Sequence, residues 1–368
     1  MEKHLWERYQ SLGTFPGPFF LITFVNNKSA SPMKRITIKD LSKYLLLSTS
    51  TISRALLNDK NIHEDTKKKV LDAAEKLGYK PNPSALNLKY GRTKNIGLLV
   101  PEMVTPFSSM VLRGIQHILY PLGYRVMIMQ SDENPEIERK NLQLLEEFNV
   151  DAIIINPCHE SENLDIYKRI LDSGTPLVFF DRMPDQSFDA SSVTVNDNIK
   201  AALMVEHLIS SGKKRIAHIM GPSTIRNAKE RATGYERILN KHGIFDPGLI
   251  IKAEGLGFEH GRAAAQKLWS KNIEFDSIFA FTDTLAIGAM NYLLEMGIKI
   301  PMQVAVASFS GTELATIVHP KLTSVEQPLI QMGEAAAELV LEKIKDKAAP
   351  NRTIMLDAEL IYRASTQG

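Results

Sequence analysis

The side chains best suited to chemistry in this sequence form a short segment near the amino end, where hydroxyl groups and one guanidinium recur at helical spacing. At about 100 degrees per residue, Ile52 and Leu56 fall on one side of a helix. Ser50, Ser53 and Arg54 fall on the other side. Hydroxyl and guanidinium groups bind phosphates and base edges. A helix that packs through its apolar side would present these groups to the major groove of DNA.

Two further helices are needed to hold that helix in place. Thr37, with Asp40 three residues later, is predicted to cap a first helix. Ser48 is predicted to cap the second helix, after a tight turn. A third helix is predicted over residues 66–77, where Gly78 ends it. Together they predict a helix-turn-helix domain, which is typical of DNA-binding proteins.

Basic charge is concentrated in the same region. Residues 33–94 carry 14 Lys and Arg against 6 Asp and Glu, a net charge of +8, whereas the whole chain has a net charge of +2. Such a cluster neutralises DNA phosphates. A solvated helical face can also be basic, but charge and helical pattern together favour DNA.

Length and composition limit the remaining possibilities. The 368 residues suffice for a small domain and a larger part with substantial cores. The single cysteine, Cys158, excludes an intramolecular disulfide framework and a zinc site built on a cysteine cluster, which favours a reducing compartment. No apolar run reaches the roughly 20 residues that cross a bilayer. We expect a cytoplasmic protein with no membrane partner, no metal and no cofactor.

Residues 1–32 are predicted to be a disordered extension or the result of a start codon assigned too far upstream, with Met33 as the true first residue. The apolar stretch 15–25 makes a signal peptide conceivable. However, Pro16 and Pro18 interrupt that stretch, and an exported DNA-binding domain would have no target.

The chain is predicted to have three functional parts after that extension. These are a DNA-binding headpiece (33–80), a hinge helix with its linker (81–94) and a core (95–368). In the hinge, Pro83 suits a first helical position and Gly91 suits a helix end. Isolated helices shorter than about 12 residues are marginal in water, so the hinge helix is expected to form only on DNA.

Short apolar runs alternate with helical periods throughout the core, which is typical of parallel α/β sheets. Strands are predicted over 96–100, 125–129, 152–155, 177–180, 216–220, 278–281 and 304–309. Helices are predicted over 110–122, 137–148, 199–211, 228–242 and 285–296. One large sheet is an alternative, but about 270 residues favour two doubly wound lobes that face a cleft. Ligands of such sheets bind beyond the carboxyl ends of the strands.

Several motifs resemble the lactose-repressor and galactose-repressor (LacI/GalR) family of bacterial transcription regulators, and their order and spacing are specific for it. The resemblance covers residues 34–366. Its motifs are Thr37-Ile38-Lys39-Asp40, residues 48–56, residues 76–82, residues 96–101, Thr105-Pro106-Phe107, Asp181-Arg182, Glu230-Arg231 with Gly234-Tyr235, Thr282-Asp283 and residues 322–328. It implies a homodimer with headpieces on a palindromic double-stranded DNA operator. It also implies a periplasmic-binding-protein-like core that senses a small-molecule effector, with a sugar favoured.

The resemblance assigns roles to individual side chains in the headpiece and hinge. Thr49 and Ser50 correspond to base readers, and Arg54 reaches further into the groove. Leu88 matches a hinge leucine that wedges between base pairs from the minor groove, with Ala85 beside it. The remaining predicted DNA-binding positions are Thr37 and, for phosphates, Thr51, Ser53, Asn58 and His63.

The sequence departs from the family pattern at three positions. Leu46 stands where a glycine usually makes the turn between the helices, at some cost in backbone strain. Leu86 replaces a frequent hinge arginine, so minor-groove contacts are expected to be weaker or purely apolar. Ser308-Phe309-Ser310-Gly311 replaces a run of the Gly-aromatic-Asp-Asp type, which puts an acidic contact to effector there in question.

Six side chains are predicted to bind the effector. Phe107 can stack on a sugar or base face, and Arg231 offers a planar fork for hydroxyl pairs or a carboxylate. Asp283 follows an apolar strand and can accept hydrogen bonds from ligand hydroxyls. The others are Arg182 and, as additions, Asn196 or Asp197.

Each of the main effector predictions has a structural alternative. Phe107 could be a core aromatic under the cleft, and Asp283 could only cap the helix that begins near Leu285. The arginines could instead form ion pairs, Arg231 with Glu230 or Glu236 and Arg182 with Asp181 or Asp185.

The sequence offers no enzymatic motif. Gly255-Leu256-Gly257 lacks the further glycine and the acid of a dinucleotide site, and no phosphate-binding P-loop, His-Glu-x-x-His or Gly-x-Ser-x-Gly motif occurs. We therefore expect a ligand-responsive transcriptional regulator, a repressor, that binds its operator as a dimer. The alternatives are a solute-binding or sugar-sensing protein whose headpiece does not bind DNA, and an architectural DNA-binding protein without an effector response.

Overall fold

The computed structural model of the chain describes residues 36–79, 92–185, 188–271 and 273–367. Residues 1–82 and 83–368 form two compact units, which are taken separately below. The predictions for the amino-terminal extension and for the hinge, Ala85 and Leu88 included, lie outside the described residues. No helix in the described part of the chain combines the length and apolar character that a membrane crossing requires.

The described residues of the first unit, 36–79, form three helices packed around a small core. They are α1 (Ile38–Leu45), α2 (Thr49–Leu56) and α3 (Glu64–Leu77). Thr37 and Asp40 form the predicted capping box at the start of α1. Ser48 caps α2, and Gly78 ends α3 in the left-handed region, with φ 67°. The buried residues between the helices are Leu41, Ile52, Ala55, Val70, Ala73 and Ala74.

The turn between α1 and α2 carries the predicted strain. Leu46 has a left-handed backbone, with φ 55°, and its side chain is 91% exposed. That conformation costs a residue with a Cβ about 1–2 kcal/mol. Because the side chain is exposed, no burial of apolar surface offsets this free-energy cost.

The first lobe of the second unit is built on a six-stranded sheet. Its strands are β1 (Asn95–Val100), β2 (Arg125–Gln130), β3 (Ala152–Ile155), β4 (Leu177–Phe180), β5 (Ser191–Val195) and β11 (Thr353–Leu356). All neighbours are parallel, in the order β11-β5-β4-β3-β1-β2. Its helices are α4 (Pro106–Leu119), continued by a 3₁₀ turn at Tyr120–Leu122, α5 (Pro135–Glu147), α6 (Leu164–Asp172) and α12 (Leu329–Lys345).

The second lobe contains the other six-stranded sheet. Its strands are β6 (Ile216–Met220), β7 (Ile250–Lys252), β8 (Ser277–Ala280), β9 (Ala305–Ser310), β10 (Thr323–Glu326) and β12 (Glu359–Ile361). In the order β12-β10-β9-β8-β6-β7, only the β10–β12 pair is antiparallel. Its helices are α7 (Asp197–Ser210), α8 (Arg226–Lys241), α9 (Phe258–Ser270), α10 (Asp283–Glu295) and α11 (Leu314–Ile317), with a 3₁₀ turn at Pro247–Leu249. The predicted pair of doubly wound lobes is confirmed.

The described part of the core passes between the lobes three times. The passages lie at Asn196, between β5 and α7, at 327–328, between β10 and α12, and at 357–358, between β11 and β12. Near the start of the core, the Arg92 guanidinium donates to the Ile344 carbonyl oxygen over 2.9 Å, at the end of α12. The amino end of the core is therefore attached to the first lobe.

Candidate functional site

One side of α2 is buried and the other is exposed, as its amphipathic pattern predicts. Ile52 and Ala55 are at most 2% exposed. Thr49, Ser50 and Arg54 are exposed on the opposite side. The helix thus presents two hydroxyls and a cation to solvent.

Hydroxyl groups cluster at the amino end of α2. The Ser48 Oγ lies 2.8 Å from both the Ser50 Oγ and the Thr51 Oγ1. It also accepts a hydrogen bond from the Thr51 backbone N–H over 3.1 Å. Helix amino ends attract anions because their first N–H groups point outward. Thr51, within this cluster, is half-buried, and so is Ser53.

The remaining headpiece candidates lie at helix ends. Thr37 is exposed, and its hydroxyl donates to the Asp40 carboxylate over 2.7 Å. Asn58 follows α2 with φ 54° and is exposed. His63 caps α3, where its Nδ1 accepts a hydrogen bond from the Asp65 N–H over 3.4 Å.

A cleft of about 580 Å³ lies between the two lobes of the core. Phe107, Arg182, Arg231 and Asp283 all line it, so four predicted effector residues come together. Phe107 is half-buried and packs against the apolar core, as the structural alternative predicts, and its ring also lines the cleft. Asn196 and Asp197 instead line a separate cavity of about 310 Å³.

Arg231 forms a buried ion pair with Asp197. Its Nε donates to the Asp197 Oδ1 over 2.7 Å, and its Nη1 donates to the Phe281 carbonyl oxygen over 2.6 Å. The guanidinium stacks on Phe309, 3.6 Å from the ring centre. Burial raises the pKa of Asp197 to about 6, against the opposing effect of Arg231. The ion pair that was the structural alternative for Arg231 is therefore present. Its partner is Asp197, so the predicted partners Glu230 and Glu236 were wrong.

Arg182 is paired in the same way, with Glu133. Its two terminal nitrogens donate to the two Glu133 carboxylate oxygens over 2.7 and 2.8 Å. The Arg182 side chain is 9% exposed. The two parallel hydrogen bonds make this a bidentate ion pair. Pairing with Asp181 or Asp185 was the alternative weighed from the sequence, and the structure gives Glu133 instead.

Asp283 is committed to internal hydrogen bonds. One carboxylate oxygen accepts from the Ser308 and Ser324 hydroxyls over 2.6 and 2.7 Å. The other accepts from the N–H and hydroxyl of Thr312 over 2.7 and 2.9 Å. Burial raises the pKa of this carboxyl against those bonds. The cap of α10 is Thr282, so Asp283 joins β9, β10 and α10 rather than capping the helix.

Three amide side chains that the sequence analysis missed also line the cleft. Asn156, Asn227 and Gln327 are 3–5% exposed, and the side-chain oxygen of each has no hydrogen-bond partner within the described chain. The amide nitrogens of Asn156 and Asn227 both donate to Asp181 over 3.4 Å. Asn156 and Gln327 directly follow β3 and β10, which is the signal that would have found them.

The lobes also touch at the rim of the cleft. The Lys229 ammonium, in α8, forms an ion pair with the Glu160 carboxylate of the first lobe. The Glu160 N–H donates to the Thr224 carbonyl oxygen over 3.0 Å. In the described part of the chain, no group of three or more His, Cys, Asp or Glu side chains is arranged to hold a metal ion.

Both units match known protein families. Residues 37–82 match bacterial regulatory proteins of the lacI family, and residues 205–366 match the periplasmic binding protein-like domain. The HTH-type transcriptional regulator RegA of Clostridium saccharobutylicum is 34% identical over 90% of this chain and 99% of its own length. The ribose operon repressor of Halalkalibacterium halodurans is 29% identical over 90% of this chain and 97% of its own.

A solved structure of the lac repressor dimer bound to operator shares the fold. It superposes with a TM-score of 0.82 at 22% identity, over 91% of this chain and 100% of that one. With near-complete coverage of a relative that is 34% identical, the chain belongs to the LacI family of bacterial regulatory proteins, whose members are transcriptional regulators rather than enzymes.

Proposed function

We propose that this protein is a ligand-responsive repressor that binds a palindromic operator as a homodimer and senses a small metabolite in its interlobe cleft. The observation that carries the proposal is the exposed set Thr49, Ser50 and Arg54, which α2 presents opposite its buried face. The name of one relative, the ribose operon repressor, supports an effector of the sugar type.

In this proposal, α2 lies in the major groove. Thr49 and Ser50 read base edges, and the longer Arg54 side chain reaches a further base or phosphate. The hydroxyl cluster around Ser48 and the exposed Asn58 and His63 contact phosphates and fix the orientation of the helix. Each half of the dimer would read one half of the palindrome.

The cleft holds the effector between the lobes. Phe107 offers a ring for stacking, and the unpartnered amide oxygens of Asn156 and Gln327 accept hydrogen bonds from ligand hydroxyl or N–H groups. A ligand that contacts both lobes favours the arrangement of the lobes that suits it. In this proposal, Asp283 and Asp197 do not contact the effector. They support its binding by holding the side chains to which they are hydrogen-bonded.

Ligand binding is coupled to DNA through residues 81–94 in this proposal. The hinge helix is too short to be stable alone, so a differential ligand affinity of a few kcal/mol between the two core states is enough to shift its formation. The coupling is reciprocal, and operator DNA must change effector affinity by the same factor.

The test is a fluorescence-anisotropy titration of the full chain with palindromic duplexes and random competitor at rising salt. Preference for a palindrome, with affinity that falls steeply with salt, is the expected result. Arg54→Ala should lose sequence preference, whereas Lys267→Ala, an equal charge change on α9, should retain it. Absence of duplex binding at every salt concentration would refute the proposal in favour of a sugar sensor whose headpiece does not bind DNA. Equal binding of palindromic and random duplexes would refute the palindromic operator. Sequence preference without any metabolite response would favour an architectural protein.

A further inference from the structure

The cleft contains two arginines, and each is already neutralised. Arg231 is paired with Asp197 and Arg182 with Glu133, and both guanidinium groups are nearly buried. An anionic ligand needs an available cation to repay the loss of its hydration. Neither guanidinium offers an uncompensated charge in this arrangement.

The other ionisable groups of the cleft are mostly acids. Besides Glu133, the lining includes Glu102, Asp132, Asp181, Glu254 and Asp283. Charges of one sign in a cleft with low-dielectric walls reinforce one another. The cleft therefore has a negative potential, which opposes the entry of phosphate esters and carboxylates.

The unpartnered groups of the cleft are hydrogen-bond acceptors. Asn156 Oδ1 and Gln327 Oε1 are buried and have no partner within the described residues. A buried acceptor without a donor costs about 1–3 kcal/mol, and a ligand that supplies O–H or N–H groups removes that cost. A fully ionised phosphate group has only acceptor oxygens and cannot do so.

We propose that Glu133 is a specificity-determining residue: by pairing with Arg182 it masks the cation that an anionic metabolite would need, so the cleft selects uncharged, donor-rich effectors and rejects phosphorylated ones. This inference rests on the proposed function, because it concerns the effector of the same cleft. It assigns a role to a residue that no motif in the sequence singles out.

The proposal predicts that phosphate binds more tightly when the Glu133 carboxylate is removed from Arg182. Inorganic phosphate and ribose 5-phosphate are titrated into the full chain by calorimetry, at ionic strength held constant with chloride. Wild-type protein should bind neither measurably. Glu133→Gln keeps the shape but removes the charge, and Glu133→Ala removes the side chain. Each should bind phosphate at least about tenfold more tightly than wild type, because Arg182 is released.

Glu147→Gln is the matched control, since Glu147 is exposed at the end of α5 and outside the cleft lining. It should behave as wild type. Phosphate binding by wild type as tight as by Glu133→Gln would overturn the proposal, and so would the absence of a gain in both Glu133 variants. Circular dichroism confirms that each variant is folded. Operator binding in the same preparations tests the proposed function separately, because masking of Arg182 does not depend on DNA.

Discussion

Arg231 and Asp197 form an ion pair across 2.7 Å, with side chains only 2% and 9% exposed. Asp197 begins α7, directly after the first passage between the lobes, and Arg231 lies on α8. The pair joins the segment that crosses between the lobes to the wall of the cleft. Its main role is therefore structural, although Arg231 also lines the cleft.

Asp197→Ala should destabilise the core strongly, because it leaves the Arg231 guanidinium buried without its partner. Removal of one member of a buried pair costs about 3–5 kcal/mol. Urea unfolding followed by circular dichroism measures this loss. Asp357→Ala is the matched control, since Asp357 lies in the third passage and pairs with Lys200 but is 84% exposed. Its loss should be at most about 1 kcal/mol. Similar losses in the two variants would contradict the assignment.

His218 should make the fold less stable in mild acid. Its ring is fully buried between Tyr235 and Phe279, and burial lowers its pKa to about 4. Because the folded pKa lies below the ordinary value of 6.5, the unfolded chain takes up the proton first. Stability is full above pH 6.5 and falls as pH drops towards 4, by about 3 kcal/mol from this group.

His218→Phe isolates that contribution, because a phenyl ring fits the stack but cannot titrate. The variant should show a shallower loss of stability between pH 6.5 and 4, measured by urea unfolding at a series of pH values. Equal slopes in wild type and variant would show that other groups cause the acid sensitivity.

Leu46→Gly should stabilise the headpiece. The residue has φ 55° and its side chain is exposed, so glycine removes backbone strain and loses no packing. We expect a gain of about 0.5–1 kcal/mol, read from slower hydrogen exchange of α1–α3 amides in the full chain. Leu71→Gly, at an exposed position inside α3, should instead destabilise by about 1 kcal/mol. A loss in both variants would argue against strain at the turn.

Leu88→Ala should abolish DNA bending while the core stays folded. This prediction follows from the resemblance at the hinge, where an apolar side chain between base pairs kinks the duplex. Energy transfer between dyes at the ends of a palindromic duplex measures the bend. A bend of wild-type size in the variant would remove the wedge from the mechanism.

The strands that the sequence predicted well are those with continuous apolar runs, most of which are buried. β2 is the exception, since none of its residues is buried. The predictions for β3, β4 and β6 agree with the structure at both ends, and those for β1, β2, β8 and β9 agree to within one residue. β5 was missed because it begins with Ser191 and Ser192, which are buried although polar. The other missed strands, β7, β10, β11 and β12, contain only three or four residues each.

The cleft could be located from the sequence, but its pairings could not. Phe107, Arg182 and Asp283 follow strands, and the rule for parallel sheets places such residues at one edge. The partner of Arg182 is 49 residues away and that of Arg231 is 34 residues away. No local pattern specifies such distant contacts. The finding that both arginines are paired therefore depended on the folded structure.

The hydrogen bond from Arg92 to the end of α12 couples the start of the core to movements of the first lobe. Arg92 at the amino end of the core is bound to the first lobe, so a tilt of that lobe would carry this attachment with it. In a symmetric pair of subunits, opposite tilts would spread or approach the two attachments. The separation between two Arg92 residues would then report the signalling state, and spin labels nearby could read it as a distance.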